Sequence, residues 1–297
     1  RKPDTRDQSG DSIQGTLFGE QEMVVQPSSL KSIDTEKHNY RLLSGEEEIT
    51  VFVKKALSLK EICFDTETTG LDALTSSLVA LAFAWEKGSG YMIRFPESRE
   101  ETLNLLELVR PLFEDSGIVK IGQNLEFDIQ ILAGYGIRVR GKLFDTMIAH
   151  YLLEPDMRHN MNILAENYLG YSPVHIESLI GEKGNNQLTM RSVPDDKLRE
   201  YTVEDADVTM QLAEVFRPKL QDLGLAPLAE TVEMPLIKVL ATMERNGVKL
   251  NEEALKSIAS ELRDDIISLE HEIYELAGTE FNISSPKQLG DILFIRL

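Results

Sequence analysis

Two carboxylates stand two residues apart at the end of a run that predicts a β-strand. Asp65 and Glu67 follow the apolar residues ICF at 62–64, and residues two apart in a strand leave from the same face. Carboxylates this close repel each other unless a proton or a cation lies between them. On a surface strand such a pair is usually a solvated edge. At the end of a core strand, where α/β sheets collect their active sites, it predicts a metal site.

Two later segments carry further acids that could join this pair. Asp128 lies just inside a predicted helix that follows another strand, a position where an acid also interacts favourably with the helix dipole. Tyr201 and Asp205 stand four residues apart in YTVEDADVT, so they share one face of a helix. Glu204 and Asp207 point around the same helix, and we expect both to be solvated.

The chemistry that these residue types fit is hydrolysis assisted by hard divalent metal ions. Mg²⁺ and Mn²⁺ prefer oxygen ligands and keep several waters, so a small set of carboxylates is the expected cage. Two such ions about 3.5 to 4 Å apart activate a water and stabilise the leaving oxygen of a phosphodiester. The sequence lacks a G-x-S-x-G elbow, a P-loop and a dinucleotide-binding glycine fingerprint. The histidines have no metal-ligand spacing and are expected to be structural or exposed: His38, His150, His159, His175 and His271.

Composition narrows the class of protein without deciding its substrate. The 297 residues, 42% apolar and 27% charged, are ordinary for a globular protein of one large domain or two smaller ones. We expect no membrane span, no signal peptide and a start inside a longer polypeptide. The single Cys63 excludes an intramolecular disulfide and predicts a cytoplasmic location. A net charge of −19 argues against gripping long duplex DNA by phosphate neutralisation, although divalent ions can supply positive charge locally.

Strands and helices alternate along most of the chain, which predicts an α/β domain with a mixed sheet. Residues 1–40 are polar and are expected to be a flexible linker. A domain boundary is expected near 222–228, after which only helices are predicted. The predicted strands are 62–68, 77–85, 91–95 and 118–124; the predicted helices are 46–57, 100–113, 125–136, 144–153, 162–169, 195–216 and two long ones after 227; and 171–194 is predicted to be an irregular loop.

Five strings in order carry a family resemblance: FDTETTGLD, IGQNLEFDIQILAGYGI, FDTMIAHYLL, LAENYLG and YTVEDADVT. They resemble the exonuclease domain of bacterial family A DNA polymerase I, of the DEDDy group in the RNase H-like superfamily. The later ETVEMPLIKVLATMERNGVKL and FNISSPKQLGDIL resemble the start of the polymerase domain. The resemblance implies an RNase H-like mixed sheet flanked by helices at 41–222. It also implies an all-α segment at 223–297 that holds the truncated first helices of a polymerase domain.

The same resemblance implies a role for each candidate acid. Asp65, Glu67 and Asp205 would ligate the first metal ion, and Asp65 would also bridge to the second. Asp128 would reach the second metal ion through water. The hydroxyl of Tyr201 would hold the attacking water, which Glu67 helps to orient.

The resemblance further implies contacts to DNA. Leu71 and Phe127 would wedge against or stack on the terminal bases, which suits a single-stranded 3' end without sequence choice. Gln123 and Asn124 would bond to the DNA backbone. Ile176 departs from the pattern, since some relatives place an aromatic residue in this region, and this puts base stacking there in doubt.

The resulting expectation is a 3'-5' exonuclease that uses two divalent ions, Mg²⁺ or Mn²⁺, and proofreads for a polymerase attached in cis. A monomer, a bacterial and nucleoid-associated location and no membrane partner are expected with it, and no polymerase activity is expected of this segment. Two alternatives stay open. One is a catalytically silent scaffold of the same fold. The other is an RNase D-like exoribonuclease, which shares the cage but does not explain the polymerase-like tail.

Overall fold

The structure is a computed structural model that describes residues 30–184 and 187–296. These residues divide into two compact units, the first ending at Arg245 and the second beginning at Asn246. Most of the predicted linker, through residue 29, lies outside the described residues. In its remaining part, the backbone amide of Lys31 donates to the Gly170 carbonyl at 2.9 Å, so the folded unit begins before residue 41.

The first unit is built around a six-stranded mixed sheet, as the alternating pattern predicted. Its spatial order is β1-β4-β3-β2-β5-β6. The central strand β2 pairs antiparallel with β3 and parallel with β5, and the outer pairs β1–β4 and β5–β6 are parallel. The strands are β1 (Asn39–Leu42), β2 (Glu61–Thr68), β3 (Leu78–Glu86), β4 (Ser89–Arg94), β5 (Val119–Gly122) and β6 (Leu143–Asp145).

Helices flank this sheet and continue alone after it. The predicted loop at 171–194 contains a short helix, α6, and a turn of 3-10 helix at Met190–Ser192. None of the helices in the described ranges is long and apolar enough to cross a membrane. The helices are α1 (Gly45–Ala56), α2 (Arg99–Glu114), α3 (Leu125–Gly134), α4 (Thr146–Leu153), α5 (Met161–Leu169), α6 (Glu177–Ile180), α7 (Asp195–Asp222), α8 (Ala226–Leu228), α9 (Met234–Asn246), α10 (Glu252–Ala277) and α11 (Pro286–Asp291).

Two short strands were not predicted. β1 comes from the expected linker, and β6 occupies the expected start of the fourth helix. Phe144 therefore lies in a strand, and α4 begins at Thr146 because the Asp145 carboxylate caps it, accepting from the backbone amides of Met147 and Ile148 at 2.8 and 3.2 Å. An acid at this position satisfies amides that the helix itself leaves unpaired.

The sheet has a hydrophobic core on each face, and the alternation along β2 supplies both. Ile62 and Phe64 belong to one buried cluster, which also contains Phe83 and Phe113. Cys63, on the opposite face of the strand, belongs to the second cluster, formed largely with residues of β3 and α7. Helix α7 therefore covers the face of β2 that carries Cys63, Asp65 and Glu67.

Candidate metal centre

The end of β2 and the middle of α7 bring three carboxylates together. One oxygen from each of Asp65, Glu67 and Asp205 lies within 4.8 Å of the others. Asp65 and Glu67 lie opposite Ala82 and Ala80 of β3, and these small side chains leave room for the acids and for α7 above them. The register of β2 on β3 shifts at Glu67/Thr68, a local irregularity of the kind that re-aims side chains next to active sites.

Close packing of α7 on the sheet sets the depth of Asp205. A Cβ atom at Gly90 of β4 would lie 2.4 Å from Cγ1 of Val203, so the glycine is what allows α7 to approach this strand. Asp205 follows Val203 by two residues and reaches the acids of β2. One of its carboxylate oxygens, Oδ1, is buried and has no hydrogen-bond partner among the described residues.

The pKa values of the three acids are all raised, because the carboxyl groups lie close together and are largely removed from water. Burial raises the pKa of Asp65 to about 7. Burial, together with the charges of Asp65 and Asp128, raises the pKa of Glu67 well above its usual range. The pKa of Asp205 is raised by burial and by the charges of Asp65 and Glu67. Without a cation, this cluster therefore retains protons near neutral pH, and a divalent cation would take their place.

Asp128 stands next to the cluster without joining the group of three. It is buried in the first turn of α3, and its Oδ1 accepts from the backbone amide and the hydroxyl of Thr66 at 3.1 and 2.5 Å. Burial, followed by the charge of Asp65, raises the pKa of Asp128. Thr66, which lies between Asp65 and Glu67, thus ties the fourth acid to the same strand end; sequence reasoning did not single it out.

Tyr201 faces the cluster from the helical turn before Asp205, as the four-residue spacing predicted. Its hydroxyl lies close to the carboxylate of Asp205. Burial raises its pKa far above the usual value, and the charges of Asp205, Glu67 and Asp65 act in the same direction. The phenol is therefore neutral, with a proton to donate to Asp205 and oxygen lone pairs free to accept.

Three of the four residues predicted to contact DNA line one groove of about 490 Å³ beside α3: Leu71, Asn124 and Phe127. Leu71 is 89% exposed, and Asn124 adopts a left-handed conformation with a φ of 61°, which asparagine tolerates better than most residues. The fourth, Gln123, is engaged by the protein: its amide nitrogen donates to the His159 carbonyl at 2.8 Å, and its oxygen accepts from Thr146. Its contact to DNA stays a prediction, and it would have to replace these bonds.

The expectation that Glu204 and Asp207 are solvated is wrong. Their exposures are 0% and 2%, because α7 is covered on several sides. Glu204 accepts from the Tyr171 hydroxyl at 2.5 Å and the Val174 amide at 2.7 Å. Asp207 accepts from the Tyr40 hydroxyl and the Gly88 amide, both at 2.8 Å, and from the Gln211 side chain at 2.9 Å.

The histidines behave as expected, as structural or exposed residues. His150 is buried, with Nδ1 2.7 Å from Nδ1 of His159 and Nε2 3.1 Å from the Tyr168 hydroxyl. His38 is paired with Glu200 at 2.7 Å.

Comparison with known proteins identifies this arrangement. The model of a family described as 3'-5' exonuclease matches residues 40–221, which include all five candidate residues of the centre. The chain belongs to the 3'-5' exonuclease family of DNA polymerase A. This confirms the resemblance carried by the five sequence strings, and the 3'-5' exonuclease match ends close to the predicted boundary at 222, although that boundary itself stays a prediction.

Relatives of this chain include DNA polymerase I of Pseudomonas aeruginosa, which is 37% identical over 87% of the chain. The chain spans only 29% of that relative's length. Among solved structures, the POL domain of Pol1 from M. smegmatis, in complex with DNA primer-template and dNTP, superposes on 86% of the chain and 41% of its own with a TM-score of 0.70 and 23% identity. Brucella melitensis NrnC with bound Mg²⁺ matches 70% of the chain and 91% of its own with a TM-score of 0.52 and 20% identity. These likenesses confirm the RNase H-like fold.

Proposed function

We propose that this chain is a metal-dependent 3'-5' exonuclease that removes nucleotides from the 3' end of single-stranded DNA. The observation that carries the proposal is the cluster of half-buried Asp65 with buried Glu67 and Asp205, with ligand atoms within 4.8 Å of one another. A protein does not gain stability by holding three largely buried carboxylates against each other, so their juxtaposition points to a bound cation.

The donor set fits hard divalent ions, Mg²⁺ or Mn²⁺. All the donors are carboxylate oxygens, and Oδ1 of Asp205 has no protein partner among the described residues. Asp65, Glu67 and Asp205 would hold one ion, and Asp65 and Asp128 would hold a second. Such ions, when bound, activate a water and stabilise the charge on the leaving oxygen. Mg²⁺ is present in the structure of the fold neighbour NrnC.

The chain's own residues position the reactants. The Tyr201 hydroxyl, which lies close to Asp205, accepts a hydrogen bond from the attacking water, and this turns a lone pair of that water toward phosphorus. Glu67 accepts the second proton of the water. Attack on the terminal phosphodiester breaks the bond from phosphorus to the 3' oxygen of the preceding nucleotide, which takes up a proton from solvent while Glu67 returns its proton to solvent. The products are a nucleoside 5'-monophosphate and a strand shortened by one nucleotide with a free 3' hydroxyl.

The partners follow from the relatives. The chain spans less than a third of the DNA polymerase I chains that it matches, and the part after 222 contributes α9, whose Met234, Ile237 and Ala241 are buried. We infer that a polymerase lies in cis and that the exonuclease proofreads for it as a monomer in the bacterial cytoplasm.

The test is nucleotide release from a 5'-labelled single strand with Mg²⁺ or Mn²⁺. We expect a ladder that shortens from the 3' end, and no ladder with Asp65→Ala or in EDTA. If the unmodified chain gives no release with either ion, the scaffold alternative holds instead. An RNA strand of the same sequence provides the second comparison, since faster release from RNA than from DNA would favour the exoribonuclease alternative.

A further inference from the structure

Buried side-chain atoms without a hydrogen-bond partner are few in the part of the protein that the structure describes. Among residues 30–184 and 187–296 there are three: Oδ1 of Asp205, Oε1 of Glu126 and Nε of Arg199. Native proteins leave few buried polar groups unpaired, and each one calls for an explanation such as a missing ion or ligand. Asp205 belongs to the metal centre, and Glu126 lines the groove of Leu71 and Phe127. The remaining atom, on Arg199, is a donor without an acceptor.

Arg199 lies in a second pocket that adjoins the metal centre. The pocket has a volume of about 490 Å³ and is lined on one side by Val174, Ser178 and Leu179 and on the other by Arg199 and Tyr201 of α7. Tyr201 is shared, because it lines this pocket and its hydroxyl lies close to Asp205. A strand whose end lies at the carboxylates can therefore continue into this pocket.

The guanidinium of Arg199 is held by one edge only. Its Nη2 donates to Glu200 Oε1 at 2.6 Å, and Glu200 Oε2 is in turn 2.7 Å from His38 Nε2. Both oxygens of Glu200 are thus engaged, and the side chain of Arg199 stays 30% exposed. The Nε–H is buried and has no partner among the described residues. Nη1 makes no hydrogen bond to these residues and is not one of their buried unpartnered atoms, so it is the donor that an outside group can reach.

The charges in the pocket are mixed. Lys197 adds a second cation to the lining, while Asp196 and Glu200 are acidic. Since Glu200 is committed to Arg199 and His38, an acceptor for the accessible Nη1 of Arg199 has to come from outside the described chain. A phosphate oxygen fits, because guanidinium groups bind phosphate through several N–H donors at once.

We propose that Arg199, assisted by Lys197, binds a phosphate of the single strand next to the one that is hydrolysed. The inference rests on the proposed exonuclease function and adds to it a contact that holds the strand. The chain has a net charge of −19 and a cluster of carboxylates at its site, so binding of a polyanionic strand requires positively charged side chains in addition to the metal ions. A contact to phosphate does not depend on the base sequence.

The experiment compares Arg199→Gln with the unmodified chain on two substrates. On a single-stranded oligonucleotide we expect KM to rise about tenfold with kcat within twofold, and the slope of log affinity against log salt to become shallower by about 0.7. The p-nitrophenyl ester of thymidine 5'-monophosphate has only the phosphate that is attacked, so its kcat/KM stays unchanged. Lys54→Gln on α1, which also removes one exposed positive charge, is the control and leaves both substrates unaffected.

Several outcomes overturn the proposal. An equal loss on both substrates would mean that Arg199 acts through Tyr201 or the carboxylates, and an unchanged KM would mean that it does not touch the strand. If Arg199→Gln does not fold, Lys197→Gln at the exposed end of the pocket carries the test, with KM raised about threefold and the same change in salt slope. If the unmodified chain hydrolyses neither substrate, the proposed function fails. The contact of Arg199 with the strand is then tested by the fluorescence anisotropy of a labelled strand in Ca²⁺. Equal affinity of Arg199→Gln and the unmodified chain for the strand would refute that contact.

Discussion

Helix α7 carries two kinds of buried acid within the four residues 204–207. Glu204 and Asp207 are sealed in the protein and accept hydrogen bonds from a tyrosine hydroxyl and a backbone amide each. Asp205, between them, meets the carboxylates of Asp65 and Glu67 and leaves an oxygen unpartnered within the described chain. Burial is common to all three, so it does not mark the functional acid. What marks it is a buried carboxylate oxygen, Oδ1 of Asp205, that has no donor among the described residues.

The difference has an energetic meaning. A buried carboxylate with two or three donors is a structural element, because its hydrogen bonds offset the loss of hydration. A buried carboxylate whose nearest neighbours are other carboxylates is stable only with a proton or a cation bound. The first kind of acid therefore controls stability and the second controls ligand binding, and substitutions should separate the two effects.

The largest expected effect is on the unpartnered acid. Asp205→Asn removes one ligand charge, so we expect activity on a single strand to fall by about a thousandfold, equivalent to several kcal/mol of transition-state stabilisation. The rise in thermal stability on adding Mg²⁺, which amounts to about 2.7 kcal/mol at a hundredfold excess over Kd, should disappear.

Stability in EDTA is the control for Asp205→Asn. Because the substitution relieves repulsion among the three acids, the free energy of unfolding without metal should not fall below that of the unmodified chain. A large loss of stability in EDTA would show that Asp205 is a structural acid like its neighbours, and the contrast within α7 would collapse.

The next effect concerns a partnered acid. Glu204→Ala leaves the Tyr171 hydroxyl and the Val174 amide without an acceptor, so the free energy of unfolding should fall by roughly 2 to 4 kcal/mol. Urea unfolding measures this loss. The stabilisation by Mg²⁺ should persist, and its disappearance would place Glu204 in the metal centre. Glu204→Gln retains one acceptor oxygen and should lose less.

These contrasts were only partly predictable from the sequence. Strands β2 and β3 and helix α2 were predicted within two residues of their ends, because their apolar periods are long and regular. Strands β1 and β6, four and three residues long, are too short to show a period. They are defined by pairing with β4 and β5, which no local pattern reveals.

The same limit applied to the acids of α7. The spacing of Tyr201 and Asp205 predicted their shared face, since an interval of four residues is a local property of a helix. The burial of Glu204 depends on Tyr171, and that of Asp207 on Tyr40 and Gly88, which are up to 167 residues away in sequence. Tyrosines in the segments around α7 were the available signal, but their pairing with these acids required the tertiary structure.

A smaller effect is expected at Tyr201, which touches the unpartnered acid without being one. Tyr201→Phe keeps the ring and removes the hydroxyl, so Mg²⁺ should still stabilise the protein while the rate of nucleotide release falls by about ten- to a hundredfold. Single-turnover kinetics with saturating metal measure the rate. An unchanged rate would remove Tyr201 from the reaction, and a lost Mg²⁺ shift would make it part of the metal cage instead.

The smallest expected effect is on the pH dependence of stability, and it concerns His150, a buried histidine with hydrogen-bond partners in the protein. Burial, and secondly the charge of His159, lowers the pKa of His150 from its usual 6.5. As the pH is lowered, this histidine is therefore protonated in the unfolded chain at a higher pH than in the folded chain. The free energy of unfolding consequently decreases as the pH falls through 6.5. The acids of the metal centre have raised pKa values, so their protonation increases the free energy of unfolding as the pH falls. The effect of His150 is therefore measured as the difference in the pH dependence of stability between variants.

Urea unfolding between pH 7.5 and pH 5.5 in EDTA makes that comparison. The loss of stability on acidification should be smaller in His150→Gln than in the unmodified chain, while His175→Gln, at an exposed position, should match the unmodified chain. Activity at pH 7.5 should be the same in all three, since His150 is a partnered group in the hydrophobic core and lies outside the carboxylate cluster. If His150→Gln instead abolished activity without loss of stability, having protein partners would no longer distinguish structural from functional groups.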